Sequence, residues 1–249
     1  MSNIYDQAEQ KAYDQRRKLG IDKSPIRDIF SLLEDQGIFV VKMPINTDGL
    51  SGAFYYNEDE DRAHMLINTN RSKGHQRFTA VHEYGHFLFD KNREKVIVDD
   101  GGPKTEAEKR ADAFAANFLM PEDGVNFYIR RTLGKKSKLS NKELVKVKEE
   151  FGVSWQTLIY RLHNLRYKFD KSKDEMLDEV SKLNSLAVQM GYERELPEDD
   201  GEFDLPAEYK RLAFQSYFDE KISLGKLAEI LRISNEEAKE KVAEIKQTR

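Results

Sequence analysis

The chain has 249 residues, 39% of them hydrophobic, which supplies a real core for one large domain or two smaller ones and excludes a disordered polymer. Charged side chains make up 35% but nearly balance, 41 basic against 45 acidic, so a net charge of -4 excludes both a strongly basic nucleic-acid binder and an acidic tail protein. Cysteine is absent, which removes disulfides, thiolate metal sites and cysteine nucleophiles together; any metal must be held by His, Asp or Glu.

Residues 3–20 read as a charged, amphipathic helix. Ser24-Pro25, followed by Ile26, Ile29, Phe30, Leu32 and Leu33, predicts a second helix with proline in its first turn, stopped at Gly37. Runs at 38–43, 52–56 and 63–67 read as strands separated by turn-rich stretches at 46–49 and 57–61, and together predict a small three-stranded antiparallel sheet. From 76 to 89 the positions Phe78, Val81, Gly85 and Leu88 recur at helical spacing, which puts the run His82-Glu83-Tyr84-Gly85-His86 on a helix. After a break at Gly101-Gly102-Pro103, residues 105–120 give a helix rich in Ala and Phe, and another runs from Pro121 to Gly134. Residues 140–151 and 154–167 make a helix pair joined at Gly152-Val153, its start fixed by a capping box of Ser140 with Glu143. A long polar helix over 172–190 leads into the linker Leu196-Pro197-Glu198-Asp199-Asp200-Gly201, and 206–249 reads as three helices. Ser140, Leu144, Ser154 and Leu162 are echoed by Ser223, Leu227, Ser234 and Val242; both units read as helix-turn-helix motifs or as ordinary hairpins with serine caps.

Residues four apart on a helix face the same way, so His82 and His86 can reach one ion with Glu83 beside it, near the water that ion carries. The flanks Phe78, Val81, Phe87, Leu88 and Phe89 are apolar, and a mostly buried helix would otherwise carry two imidazoles at a cost; the alternative is a pair of surface histidines. A catalytic zinc takes three protein ligands and leaves a position for water. Glu108 is the candidate third ligand, one helix further on, in a segment whose alanines let two helices approach closely. The competing reading of Glu108 is a capping box with Thr105, and Glu106 and Asp99-Asp100 are also within range. Asp112, one turn later, can accept the hydrogen bond from the far nitrogen of a metal-bound histidine and so fix its tautomer. The chemistry expected is peptide hydrolysis: bound Zn2+ acidifies its water and polarises the carbonyl, while Glu83 takes the proton and delivers it to the leaving amine. His64 and His75 either donate to an oxyanion or are satisfied histidines. Tyr84 and Trp155 read as packing residues, and His163 as structural.

The run 78–86, followed at fixed spacing by Glu108, Ala111, Asp112, Phe114, Ala115, Phe118, Leu119, Met120 and Pro121 and preceded by Ile67-Asn68, resembles the ImmA/IrrE family of bacterial and phage metallopeptidases over residues 26–165. In that family the third ligand opens the Glu-x-x-Ala motif, which falls on Glu108; Phe118 stands where leucine is commoner. The resemblance implies one Zn2+ per chain, with Mn2+ as a substitute, and a site-specific endopeptidase that cuts a helix-turn-helix transcriptional repressor, derepressing mobile-element, phage or stress-response genes. The alternative is a regulator that binds DNA or protein through the same zincin fold without cutting anything, against which Glu83 is present.

The expected fold class is therefore α+β, a mostly helical zincin-like domain over 1–170 with the small sheet and a helix-turn-helix-like end at 135–168. A helix and acidic linker follow over 171–204, then a C-terminal helical domain over 205–249. A basic block at 130–168, opposed only by Glu143, Glu149 and Glu150, precedes an acidic one at 174–204. The basic block can meet DNA, the acidic face of a protein substrate, or only solvent, while the near balance over 206–249 leaves little affinity for phosphate. No apolar run approaches the roughly 18 residues of a membrane span, and the cytoplasm is the expected location.

Overall fold

The computed structural model describes residues 3–47, 49–59, 61–90, 97–98, 104–134, 136–192 and 203–247. Helix α1 (Ile4–Lys18) opens on a capping box between Asn3 and Asp6 and closes on Arg16, Arg17 and Lys18, which complement the negative end of its dipole. Helix α2 (Ile29–Glu34) is shorter than the sequence suggests. Its cap is Asp28, whose carboxylate accepts from the N–H groups of Phe30 and Ser31 and from the Ser31 hydroxyl, so Pro25 lies ahead of the helix. The preceding carbonyls are committed elsewhere: Arg16 donates to Ser24, and Arg77 donates to Ile26 and Arg27.

Strands β1 (Ile38–Met43), β2 (Gly52–Asn57) and β3 (Arg62–Asn68) form the sheet, joined by a two-residue β4 (Ile97–Val98) in the order β1-β3-β2-β4. The sheet is mixed, not antiparallel throughout. β2 pairs antiparallel with β3 and β4, but β1 pairs parallel with β3, which lies between β1 and β2 in the sheet. Asn68 holds the connection from β1 to β2: its amide accepts from Ile45 N–H and donates to the carbonyls of Ile45 and Leu50. One face of the sheet carries Ile38, Val40, Ala63, Met65, Ile67 and Phe54, all buried and in register. The other carries a row of Phe39, His64 and Tyr55.

Helix α3 (Lys73–Asp90) packs on β2 and β3, and from 79 to 86 every residue is buried. The approach is close, since a Cβ on Gly52 would lie 2.4 Å from Thr79 Cγ2. Helix α4 (Glu106–Leu119) packs beside α3 through an interlocked set of Tyr84, Phe114 and Phe118, with ring centroids 5.4 to 5.9 Å apart. Gly85 makes room for it: a Cβ there would lie 3.2 Å from Phe114 Cδ1 and 3.3 Å from Ala111 Cα. Helix α1 packs against α4 as well, and the buried Arg16 donates from all three guanidinium nitrogens to the carbonyls of Asp22, Phe118 and Ser24.

Helix α5 (Glu122–Tyr128) runs into a π-helical turn (Ile129–Leu133) that ends at Gly134, φ 83°. Helices α6 (Asn141–Phe151) and α7 (Trp155–Asn164) are the expected pair, and the Ser140–Glu143 capping box is formed. The helix expected over 172–190 is broken at Glu179 into α8 (Lys173–Asp178) and α9 (Val180–Gln189). It is not purely polar: Met176, Leu183 and Ala187 join the main core, and Asn184 accepts from the Trp155 indole. The expected linker at 196–201, the break at 101–103 and the Asp99-Asp100 pair lie outside the described residues. Past them, Asp204 exchanges backbone hydrogen bonds of 2.8 and 2.9 Å with Lys42 on the outer edge of β1. Helices α10 (Ala207–Phe218), α11 (Leu224–Leu231) and α12 (Asn235–Gln247) follow, around a separate apolar cluster of Ala213, Leu227, Leu231 and Val242. Among the described residues no helix is long and apolar enough to cross a membrane.

Candidate metal centre

His82 and His86 lie one turn apart on α3, and Glu108 reaches them from the first turn of α4. His82 Nε2 is 3.1 Å from Glu108 Oε2, His86 Nε2 is 3.2 Å from Glu108 Oε1, and the two Nε2 atoms are 3.1 Å apart. Half of the capping box read from the sequence exists, since Thr105 Oγ1 accepts from Glu108 N–H at 3.2 Å. The Glu108 carboxylate, however, directs both oxygens at histidine nitrogens. Asp112, one turn further along α4, lies 2.9 Å from His82 Nδ1 and also pairs with Lys104. Glu83, 1% exposed, sits beside His82.

The donor set has a definite polarity. An ionised Asp112 only accepts, so His82 Nδ1 carries the hydrogen and Nε2 presents a lone pair. That lone pair faces a carboxylate oxygen and a second imidazole nitrogen, an arrangement that holds together only around a proton or a cation. Burial pulls the His82 imidazole down, but hydrogen bonds to Asp112 and Glu108 and the charge of Glu83 outweigh it and lift His82 to about 10. The same hydrogen bonds from His82 and His86 hold Glu108 well below the usual carboxylate range. Burial raises the Asp112 carboxyl, yet its bonds to His82 and Lys104 bring it below its ordinary value. Two imidazoles and one carboxylate, their candidate ligand atoms all within 4.8 Å of one another, fit a divalent metal ion.

A family model, Peptidase_M78, described as the IrrE N-terminal-like domain, matches residues 33–163, more than half of the chain. The chain belongs to this family. No match to a curated protein was found. The IrrE-like segment begins within α2 and ends within α7, so it contains the sheet, both helices of the candidate centre and the following helix pair. Membership makes the protein a metallopeptidase of the IrrE/ImmA type, with a protein as its substrate class.

In this IrrE-like domain His82, Glu83 and Asp112 open into a cavity of about 770 Å³. α1 contributes Tyr5 and Glu9 to its lining, and α7 contributes Gln156, Thr157, Tyr160, Arg161 and Asn164, with its N-cap Ser154. His75 also lines it, its Nε2 3.0 Å from Ser51 Oγ. His64 does not; it stacks between Phe39 and Tyr55 on the other face of the sheet. His163 is exposed, Glu106 is exposed in the first turn of α4, and Tyr84 and Trp155 are buried packing residues. Sequence reasoning missed Lys104, which braces Asp112, and it missed the cavity face of α7. The signal for that face was present: Ser154, Thr157, Arg161 and Asn164 follow a 3-4-3 spacing, with Trp155, Leu158, Ile159 and Leu162 buried on the remaining face.

Proposed function

We propose that this protein is a zinc-dependent endopeptidase in which His82, His86 and Glu108 hold one Zn2+, Asp112 orients His82, and Glu83 moves the proton. The observation that carries the reading is the convergence of two imidazole nitrogens and both oxygens of Glu108, with His82 and the adjacent Glu83 lining a cavity. When bound there, the ion supplies Lewis acidity, polarising a peptide carbonyl and acidifying water. The chain's own residues do the rest. Asp112 fixes the Nδ1–H tautomer of His82, so that Nε2 faces inward. Glu83, in an environment that excludes bulk solvent, takes a proton from the attacking water and returns it to the leaving amine. A cavity of this size admits a short stretch of peptide.

The substrate we infer is a helix-turn-helix repressor, on the strength of family membership. Two separate apolar clusters support a division into a peptidase domain and a C-terminal helical unit from 205 onward, the main core running on through α9. The direct test is to incubate the purified protein with the helix-turn-helix regulator encoded beside its gene, with and without chelator. One chelator-sensitive cut is expected, and Glu83→Gln should slow it by about a hundredfold or more while still binding the regulator. Cutting that survives either change contradicts the reading. Binding by the wild type with no cut at all would instead favour a regulator that works without proteolysis.

A further inference from the structure

Arg161 stands out among the buried arginines. Arg16 commits all three guanidinium nitrogens to backbone carbonyls, as a purely structural arginine should. Arg161, at 8% exposure, commits Nε to the carbonyl of Met120 at 2.9 Å, and its Nη2 is buried with no hydrogen-bond partner. The carboxylates that influence it, Glu9 and Glu122, act on it without a salt bridge. Nη2 is closed to solvent, but the guanidinium as a whole has no carboxylate in contact among the described residues, and a charge desolvated to this degree is costly unless an opposite charge approaches the part of it that lines the cavity. Arg161 also lines the cavity shared by His82 and Glu83, in the middle of the polar stripe of α7. That stripe adds Thr157 and Asn164, neutral groups that hydrogen-bond a peptide; Lys109 of α4 and Lys104, which pairs with Asp112, add two further cations to the lining, and Glu9 of α1 adds a carboxylate. Tyr5 and Tyr160, both part-exposed, offer apolar rings to the same cavity.

We propose that Arg161 anchors a carboxylate-binding subsite on the α7 wall of this cavity, so that the peptide recognised carries a carboxylate at a fixed distance from the bond presented to Glu83. The inference rests on the peptidase reading and adds to it a chemical selectivity. A planar, always-charged fork suits a carboxylate better than it suits a neutral amide, which leaves the charge uncompensated. The carboxylate belongs either to an Asp or Glu side chain or to the end of the substrate chain, and both present the same group to Arg161.

The test uses a set of short fluorescein-labelled peptides in which each position in turn is Asp, Glu, Asn or Gln, every member made as free acid and as C-terminal amide. Cleavage by the metal-loaded protein is read by mass spectrometry, and binding to the metal-loaded Glu83→Gln protein by fluorescence anisotropy. An acid is expected to beat its amide by about ten- to hundredfold at one position, in binding as in cleavage. A preference for the free acid over the C-terminal amide assigns the subsite to the chain end. Arg161→Lys should keep part of the preference and Arg161→Met abolish it; should Arg161→Met fail to fold, the wild-type profile and Arg161→Lys decide. Acid-selective binding with no cleavage leaves the subsite standing and removes the peptidase reading. Cleavage with a flat profile does the reverse. A flat profile in both assays, no binding of any peptide, or an acid preference unchanged in Arg161→Met overturns the proposal.

Discussion

At the scale of single residues, the proposed centre sets a proton and a metal ion in competition for one lone pair. His82 is lifted to about 10 by its bonds to Asp112 and Glu108. Because that value is raised, the stabilisation from the charged imidazole is present in full below its unfolded value of about 6.5 and is lost as the pH rises through about 10. Metal binding must expel the same proton, so between those limits each ion bound should release a proton and affinity should climb by about tenfold per pH unit. Calorimetric titration with Zn2+ in buffers of different ionisation heat measures the release; binding with no proton released contradicts the assignment. How much of this was legible follows from distance along the chain. His82, Glu83 and His86 declare themselves by a spacing of four, and Glu108 and Asp112 repeat that spacing on α4. Arg16 and Arg161 declare nothing, because the carbonyls they reach on Phe118 and Met120 lie 102 and 41 residues away.

At the scale of elements, the centre depends on how near α4 comes to α3. Gly85 sets that distance, with Ala111 and Phe114 already in contact with the space its side chain would fill. Gly85→Val should cost about 1–3 kcal/mol in stability and move Glu108 away from the histidines, so zinc affinity should fall while circular dichroism still reports a folded helical protein. Unchanged zinc affinity would show that α4 does not supply a ligand. β1, β2 and β3 were legible to within a residue or two at each end, but the two-residue β4 and the pairing were not. Alternation of side chains predicts that a strand exists and which face is buried; it does not say that β3 inserts between β1 and β2 and runs parallel to β1. The helix pair α6 and α7 reads equally well as a nucleic-acid motif until α7 is seen to turn its polar stripe onto the metal-centre cavity. That face is then committed to the same space as Glu83, which favours a peptide over DNA as its partner.

At the scale of the whole molecule, the described residues form two apolar clusters, and the lining of the cavity comes from before residue 165. α8 and α9 nevertheless belong to the larger cluster, through Met176, Leu183 and Ala187 and through Asn184 on Trp155. Removing residues 203–249 should therefore leave zinc affinity within about threefold, whereas removing 172–249 should lower the melting temperature by about 4 °C or more, since each kcal/mol of lost burial shifts it by several degrees. Thermal melts and zinc titrations of the two truncations check this, and equal stability for both would contradict the packing described. The central claim is that His82, His86 and Glu108 together hold one ion. Mass-spectrometric metal analysis of the purified protein, beside Glu83→Gln and Glu108→Ala, tests it most directly. One zinc per chain is expected in the first two and loss of zinc from a still-folded Glu108→Ala; full occupancy in Glu108→Ala, or an empty wild type after zinc loading, would contradict the account.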